Sequence, residues 1–122
     1  TIFCFRMSKM FPPSNLTKIG FYAFGFFYGI ATIVVAIFPC DSGCNPEFIN
    51  PSFSQILHNL VGAFTYIFTP LSVLLIGIGL KQDSKHTRLS RQGIIYGILS
   101  LLFVFILLII SDSPVAVQVT LT

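Results

Sequence analysis

The polar interval 39–59 carries most of the side chains in this sequence that could take part in chemistry. It contains two of the three cysteines, two of the four carboxylates and one of the two histidines. Cys40 and Cys44 are four residues apart, a spacing that suits either a small disulfide loop or a pair of free thiols. A metal site is a third alternative; its ligands would be Cys40, Cys44, His58 and Asp41. The spacing alone does not decide among the three.

His58 falls near the start of a long apolar run. An imidazole at this position either handles protons or contacts lipid headgroups, or it packs against a neighbouring helix through a hydrogen bond. We favour the second interpretation, in which its partner is Asp41, Gln55 or a backbone carbonyl. The candidate functional residues are therefore Asp41, Gln55 and His58.

Sequence motifs with established catalytic chemistry are not found. There is no G-x-S-x-G elbow, P-loop or H-E-x-x-H motif, and no pair of carboxylates within the apolar runs. The second histidine, His86, belongs to a basic connector, so a pair of haem ligands within the membrane is not expected. We predict no catalytic residue, metal or cofactor, although a membrane enzyme is kept as an alternative below.

The composition defines the class of protein. Hydrophobic residues make up 54% of the chain and charged residues 9%, with a mean hydropathy of +0.87. Soluble domains carry about 25% charged residues. The net charge of +3 is too sparse for a nucleic-acid-binding surface. We predict an integral membrane protein whose main partner is the lipid bilayer, with no nucleic acid bound.

The apolar runs predict an all-α fold, a helical transmembrane bundle with three membrane-spanning helices. A run of 20 uncharged residues, Ile19–Phe38, is long enough to cross a hydrocarbon core of about 30 Å. Ser52 and Gln55 fit the capping box that begins a helix. The predicted spans are 19–38, 53–80 and 93–111. They form a membrane domain over 19–111, between an N-terminal segment 1–18 and a tail 112–122.

Small and polar residues recur at helical spacing on each span and predict the faces that pack. Gly25 and Gly29 form a G-x-x-x-G pair, which permits close contact between helices. In the second span a stripe must face protein or a water-filled cavity; it consists of Gln55, His58, Gly62, Thr65, Thr69 and Ser72. The residues assigned to helix packing are Gly25, Gly29, Gly62, Thr65, Thr69, Gly93 and Gly97.

The basic residues predict the orientation. All seven Lys and Arg residues lie before the first span or in the connector 81–92, and none lies in the loop 39–51 or the tail. By the positive-inside rule, the N-terminus and the connector are cytoplasmic and the loop is not. The predicted location is the cell membrane, as a multi-pass protein.

The order of several residues resembles a bacterial membrane protein family, domain of unknown function 998. The likeness rests on Phe38-Pro39-Cys40-Asp41 at the end of a span and Leu57-His58 at the start of the next, and it covers about residues 18–108. Members of that family resemble bundles of about six helices. The resemblance therefore implies a fragment that lacks the first spans, and it implies that Asp41 and His58 are signature residues.

The predicted function is that of an uncharacterised multi-pass membrane protein with a structural or binding role. One alternative is a membrane-embedded enzyme, acting on lipid or depending on a metal at the cluster Cys40, Asp41, Cys44 and His58. Another is a subunit of a small-molecule transporter. Such a subunit requires an oligomer or the missing helices, because three helices enclose little space.

Overall fold

The structure, a computed structural model, describes residues 2–11, 14–45, 47 and 49–111, and within these ranges it contains helices and no strand. The predicted tail 112–122 and the Pro12-Pro13 pair lie outside the described residues. The helices are α1 (Ile2–Met10), α2 (Asn15–Phe24), a π-helical turn (Gly25–Ile30), α3 (Ala31–Ile37), α4 (Phe53–Leu80) and α5 (Thr87–Ser111).

Three stretches are long and apolar enough to cross a membrane: Asn15–Ile37, Phe53–Leu80 and Ser84–Ile110. The predicted all-α fold with three such helices is confirmed. The first of them joins α2, the π turn and α3 into one rod. In the third, only 6% of the most apolar window is buried within the protein. A helix with that much exposed hydrocarbon requires lipid around it.

Helix α4 lies between its two neighbours and contacts each through a glycine. Gly79 lies against the backbone of Thr17 in α2, and Gly77 lies against Gly93 and Ile94 in α5. Two residues that are two positions apart in a helix point about 200° away from each other. The Gly-x-Gly pair therefore lets two helices approach opposite sides of α4 at the same depth.

Further glycines extend both crossings. Gly20 of α2 lies against Ile76, and Gly97 of α5 lies against Leu74. The hydroxyl of Ser90, which is buried, donates to the carbonyl of Gly77 over 2.7 Å. Small residues are what permit such approaches between helices in lipid. Of these five glycines, Gly93 and Gly97 were predicted from the sequence, whereas Gly20, Gly77 and Gly79 were not.

The expected close packing at Gly62 is not found. Apart from its own helical turn, no heavy atom of the described residues lies within 4 Å of the place where a β-carbon would stand. The reason is that α4 and α5 cross near Gly77 and diverge toward the other end of α4, so that Gly62 lines a groove between them.

The π turn changes the face that the first span presents. In it Gly25 is buried, whereas Thr32 and Ala36, which continue the α-helical spacing after Gly29, are exposed. A π turn adds a residue to one turn and so rotates everything that follows. The face on which Gly25 lies therefore does not continue along α3 at α-helical spacing.

Aromatic contacts join the first span to its neighbours. The ring of Phe27 stacks on Phe68 of α4 with centroids 4.6 Å apart. Phe21 is buried and stacks on Phe11. Phe11 in turn meets the edge of His86, so the end of α1 and the connector 81–92 lie together.

Replacing Gly79 by alanine should lower the stability of the bundle. An alanine β-carbon would lie 2.6 Å from the backbone nitrogen of Thr17, and overpacking of this kind costs about 1–3 kcal/mol. The matched control is Gly62→Ala, where the new methyl meets open space and alanine gains up to about 1 kcal/mol of helix propensity. Thermal unfolding in detergent should give a lower midpoint for Gly79→Ala and an equal or higher one for Gly62→Ala. Equal midpoints for the two variants would contradict the crossing.

Candidate functional site

Asp41 connects the loop after the first span to the first turn of α4. Its carboxylate accepts two hydrogen bonds from Ser52, one from the backbone N–H at 3.0 Å and one from the hydroxyl at 2.6 Å. Its own backbone N–H donates to Oε1 of Gln55 over 2.7 Å. Three bonds thus join one loop residue to the start of the second span, two with the N-cap Ser52 and one with Gln55.

Only one of the two hydrogen bonds of the predicted capping box is present. Ser52 is the N-cap, and its hydroxyl oxygen accepts from the N–H of Gln55 over 3.0 Å, as predicted. In a capping box the Gln55 side chain would also accept from the N–H of Ser52. Here Asp41 takes that N–H, and Gln55 accepts from Asp41 instead. The carboxylate of Asp41 thus makes the hydrogen bond that the Gln55 side chain would make in a capping box, and the Gln55 side chain bonds the loop.

Gln55 is completely buried in this arrangement, with 0% of its surface exposed. A buried amide must find partners for both its oxygen and its nitrogen. Oε1 accepts from Asp41, and Nε2 donates to Oδ1 of Asn59 over 2.9 Å. Gln55 is therefore satisfied by the loop on one side and by its own helix on the other.

His58 connects α4 to the end of the first span. Its Nδ1 lies 2.8 Å from the carbonyl oxygen of Phe38, the C-cap residue of α3. Since a carbonyl only accepts, Nδ1 carries the proton and Nε2 of the neutral ring is left as an acceptor. The bond satisfies one of the carbonyls that a helix C-terminus leaves without a partner. Of the three partners considered for His58, the structure selects the backbone carbonyl rather than Asp41 or Gln55.

Ser54 adds one more connection between the two spans, because its hydroxyl donates to the carbonyl of Pro39 over 2.7 Å. We call the set Phe38, Pro39, Asp41, Ser52, Ser54, Gln55 and His58 the interspan clasp.

The two cysteines lie in the loop beside the clasp. The structure joins their sulfur atoms in a disulfide, with the α-carbons of Cys40 and Cys44 4.9 Å apart. The turn between them uses Gly43 at φ 70°, and Asn45 follows at φ 38°. Asn45 and Ile49 then exchange two hydrogen bonds that close the next turn.

The metal alternative gains no geometric support. Within the described ranges, no group of three or more His, Cys, Asp or Glu side chains is arranged to hold a metal ion. The cysteine sulfurs bond each other, Asp41 bonds Ser52, and His58 bonds a carbonyl. The proposed cluster therefore consists of neighbours in sequence whose polar atoms point to different partners.

The electrostatics of Asp41 follow from its hydrogen bonds. The backbone N–H of Ser52, followed by the hydroxyl of the same residue, holds the pKa of the Asp41 carboxyl below its ordinary value. Both bonds are made to the ionised form, which they stabilise. At neutral pH the clasp therefore contains a carboxylate.

The rest of the polar stripe on α4 is satisfied mostly within the helix. The hydroxyl of Thr65 donates to the carbonyl of Val61, and that of Ser72 donates to Phe68. The hydroxyl of Thr69 is buried and has no hydrogen-bond partner among the described residues. Thr65 and Thr69 line a cleft of about 600 Å³ between α4 and α5. A second cleft of about 660 Å³ lies next to it, lined by His58 and Gly62 among others.

These features define a membrane protein with three candidate spans, in which side chains of the second span hold the end of the first. The chain belongs to the family described as Protein of unknown function (DUF998), whose family model matches residues 1–119. The resemblance seen in the sequence is thereby confirmed, over a longer range than 18–108. No curated protein and no solved structure matches the chain.

The residue types of Asp41, Gln55 and His58 were enough to predict them, and a backbone carbonyl was among the partners considered for His58. Phe38, Pro39, Ser52 and Ser54 complete the clasp. The N-cap serine was visible in the sequence, but no spacing rule pairs it with Asp41, from which it is separated by 11 positions. The carbonyls of Phe38 and Pro39 could not be predicted as acceptors, because every residue has a backbone carbonyl whatever its type.

Acid should weaken the clasp through Asp41. Because the pKa of Asp41 is lower in the folded protein than in the unfolded chain, its contribution is complete above the unfolded pKa of about 3.9. That contribution is lost as the pH falls through the lowered folded value. Asp41→Asn should therefore flatten the acid limb of the unfolding midpoint plotted against pH. Glu47→Gln, which changes an exposed carboxylate of the same loop, should leave that limb in place; an unchanged limb in Asp41→Asn would contradict the assignment.

Proposed function

We propose that this protein is a non-catalytic component of the cell membrane whose clasp fixes the first two spans and the loop between them as one rigid unit. Its role is structural or binding, and the loop 39–51 is the surface that it presents outside the cell. One observation supports this most directly: the reactive side chains beside the loop are already bonded to one another or to the backbone.

That observation weighs against the enzyme alternative. A general base or a nucleophile needs an atom free to meet a substrate. Both oxygens of Asp41 accept from Ser52, and the sulfurs of Cys40 and Cys44 bond each other. The Nδ1 atom of His58 is occupied by Phe38. Among these groups, Nε2 of His58 is the atom that remains for an external partner.

The transporter alternative has less support than the structural one. A polar path would need hydroxyls directed into a closed passage between helices. Two hydroxyls of the stripe, those of Thr65 and Ser72, instead donate to carbonyls one turn earlier in their own helix. Transport would need further helices, from an oligomer or from a longer chain, to close the α4–α5 clefts.

Two substitutions of His58 separate a structural imidazole from a reactive one. The amide nitrogen of asparagine occupies nearly the position of Nδ1, whereas that of glutamine lies closer to Nε2. If the bond to Phe38 is what matters, His58→Asn keeps it and His58→Gln loses a hydrogen bond that contributes about 0.5–1.5 kcal/mol. The thermal unfolding midpoint of His58→Asn should be close to that of the unchanged protein, and the midpoint of His58→Gln should be lower. Equal loss in both variants would contradict the structural role, as would one equivalent of metal in the purified protein.

The orientation is part of the same proposal and is supported by charge. The connector residues Lys81, Lys85, Arg88 and Arg91 are exposed, on the same side as the end of α1. The positive-inside rule then makes that side cytoplasmic and puts Cys40 and Cys44 in an oxidising compartment, where a disulfide persists.

Labelling with a membrane-impermeant maleimide tests orientation and disulfide together. In intact cells the native cysteines should react only after reduction by impermeant phosphine, since Cys40 and Cys44 are bonded and Cys4 is buried. A Gln82→Cys variant, changed at an exposed connector residue, should gain a label only after the cells are permeabilised. Labelling of Gln82→Cys from outside would reverse the orientation, and labelling without phosphine would show free thiols.

A further inference from the structure

The two clefts between α4 and α5 are adjacent and share Tyr66 and Val104. Together they form one groove, which we call the α4–α5 groove. It runs along α4 from His58 to Pro70. Twelve residues of helix span about 18 Å, close to the half-thickness of a hydrocarbon core of about 30 Å. The groove therefore has the length of one leaflet.

The lining changes character along this length. The surface of the deep part is mainly apolar and aromatic, with Leu99, Phe103 and Val104 among its side chains, and the small hydroxyl residues Thr65, Thr69 and Ser100 lie between them. The outer end carries two polar residues, His58 and Asn59. This lining is complementary to a molecule that has a hydrocarbon chain and a polar end. Such a molecule would lie in the groove with the same orientation as a lipid of that leaflet.

Each of the two polar side chains has one group left with which to bind a ligand. His58 uses Nδ1 for Phe38, which leaves Nε2 as an acceptor. Asn59 uses Oδ1 to accept from Gln55, which leaves its amide N–H groups as donors. A hydroxyl group both donates and accepts, so a single hydroxyl can satisfy both residues.

The absence of charged side chains from the described lining favours one class of lipid over another. The described lining of the groove contains no Lys, Arg, Asp or Glu. A phosphate or a carboxylate would enter it without a cation to pair with, at the cost of desolvation. An uncharged headgroup meets no such cost.

We propose that the α4–α5 groove binds a neutral, hydroxyl-bearing lipid of the acylglycerol class, with its acyl chain along Gly62 and Tyr66 and its hydroxyl between His58 and Asn59. This site goes beyond the structural role of the clasp. It uses the face of α4 directed at α5, and the groove can fail to bind lipid while the His58 variants still behave as a structural imidazole requires.

Gly62 supplies the variant that closes the groove. Because no described residue beyond its own helical turn has a heavy atom within 4 Å of its β-carbon position, a larger side chain enters the groove rather than a packed core. Gly62→Leu fills the groove, and Gly62→Ala barely narrows it. Leu60→Phe is a second control, since it adds bulk to an exposed residue of α4 that is not part of the lining.

The experiment uses the full chain in phosphatidylcholine nanodiscs and a diacylglycerol probe that carries a diazirine in one acyl chain. After irradiation, mass spectrometry should place the label on peptides of α4 and α5 that line the groove. In Gly62→Leu the labelling should fall about tenfold, the equivalent of 1.4 kcal/mol of binding free energy. Gly62→Ala and Leu60→Phe should retain it, and all three variants should keep their unfolding midpoints or exceed the original.

A phosphatidylglycerol probe with the same acyl chains tests the headgroup. It should label the groove more weakly than diacylglycerol does. Equal labelling by the two probes would overturn the neutral-lipid assignment. Equal labelling of Gly62→Leu and the unchanged protein, or a label spread evenly over the exposed face of α5, would overturn the site itself and show lipid that merely surrounds the helices.

Discussion

The structure depends on how a hairpin of two apolar helices satisfies its backbone where the chain leaves the membrane. The end of the first span has carbonyls without donors, and the start of the second has N–H groups without acceptors. The clasp solves both problems at once: His58 donates to the carbonyl of Phe38, and Asp41 and Ser52 accept from the first turn of α4. The end of the first span is bonded by a side chain of the second, and the start of the second is bonded by the loop. Neither helix end can therefore move without breaking these hydrogen bonds.

At the opposite end the same helix is held mainly by close packing, with one interhelical hydrogen bond from Ser90 to the carbonyl of Gly77. Gly77 and Gly79 bring α5 and α2 against the backbone of α4, where van der Waals packing must replace the hydrophobic effect that lipid removes. Helix α4 is thus clasped at one end and closely packed at the other. Between these two regions α4 and α5 separate, and the groove runs from the clasp residue His58 toward the close packing.

Much of the fold could be predicted, because long uncharged runs in a bilayer have few solutions: the three helices and the Ser52 cap follow from length and cap chemistry alone. The packing faces were harder. The stripe through Gly25 assumed 3.6 residues per turn, which the π turn violates, and Gly77 and Gly79 belong to no single stripe because they face different helices. At the site, residue types identified Asp41, Gln55 and His58. Their partners depended on which backbone atoms come close in space, and no spacing in one sequence encodes that.

The π turn at Gly25–Ile30 has a consequence for the loop beyond it. It contributes one residue more than an α-helical turn would, and so sets the azimuth at which α3 ends. If this turn became α-helical with the same number of residues, every residue after it would rotate about the helix axis by about 100°. The carbonyl of Phe38 would then point away from His58, and Asp41 would leave Ser52. The wide turn near the middle of the first span thus works as an angular spacer, matching the direction in which one helix ends to the direction in which the next begins.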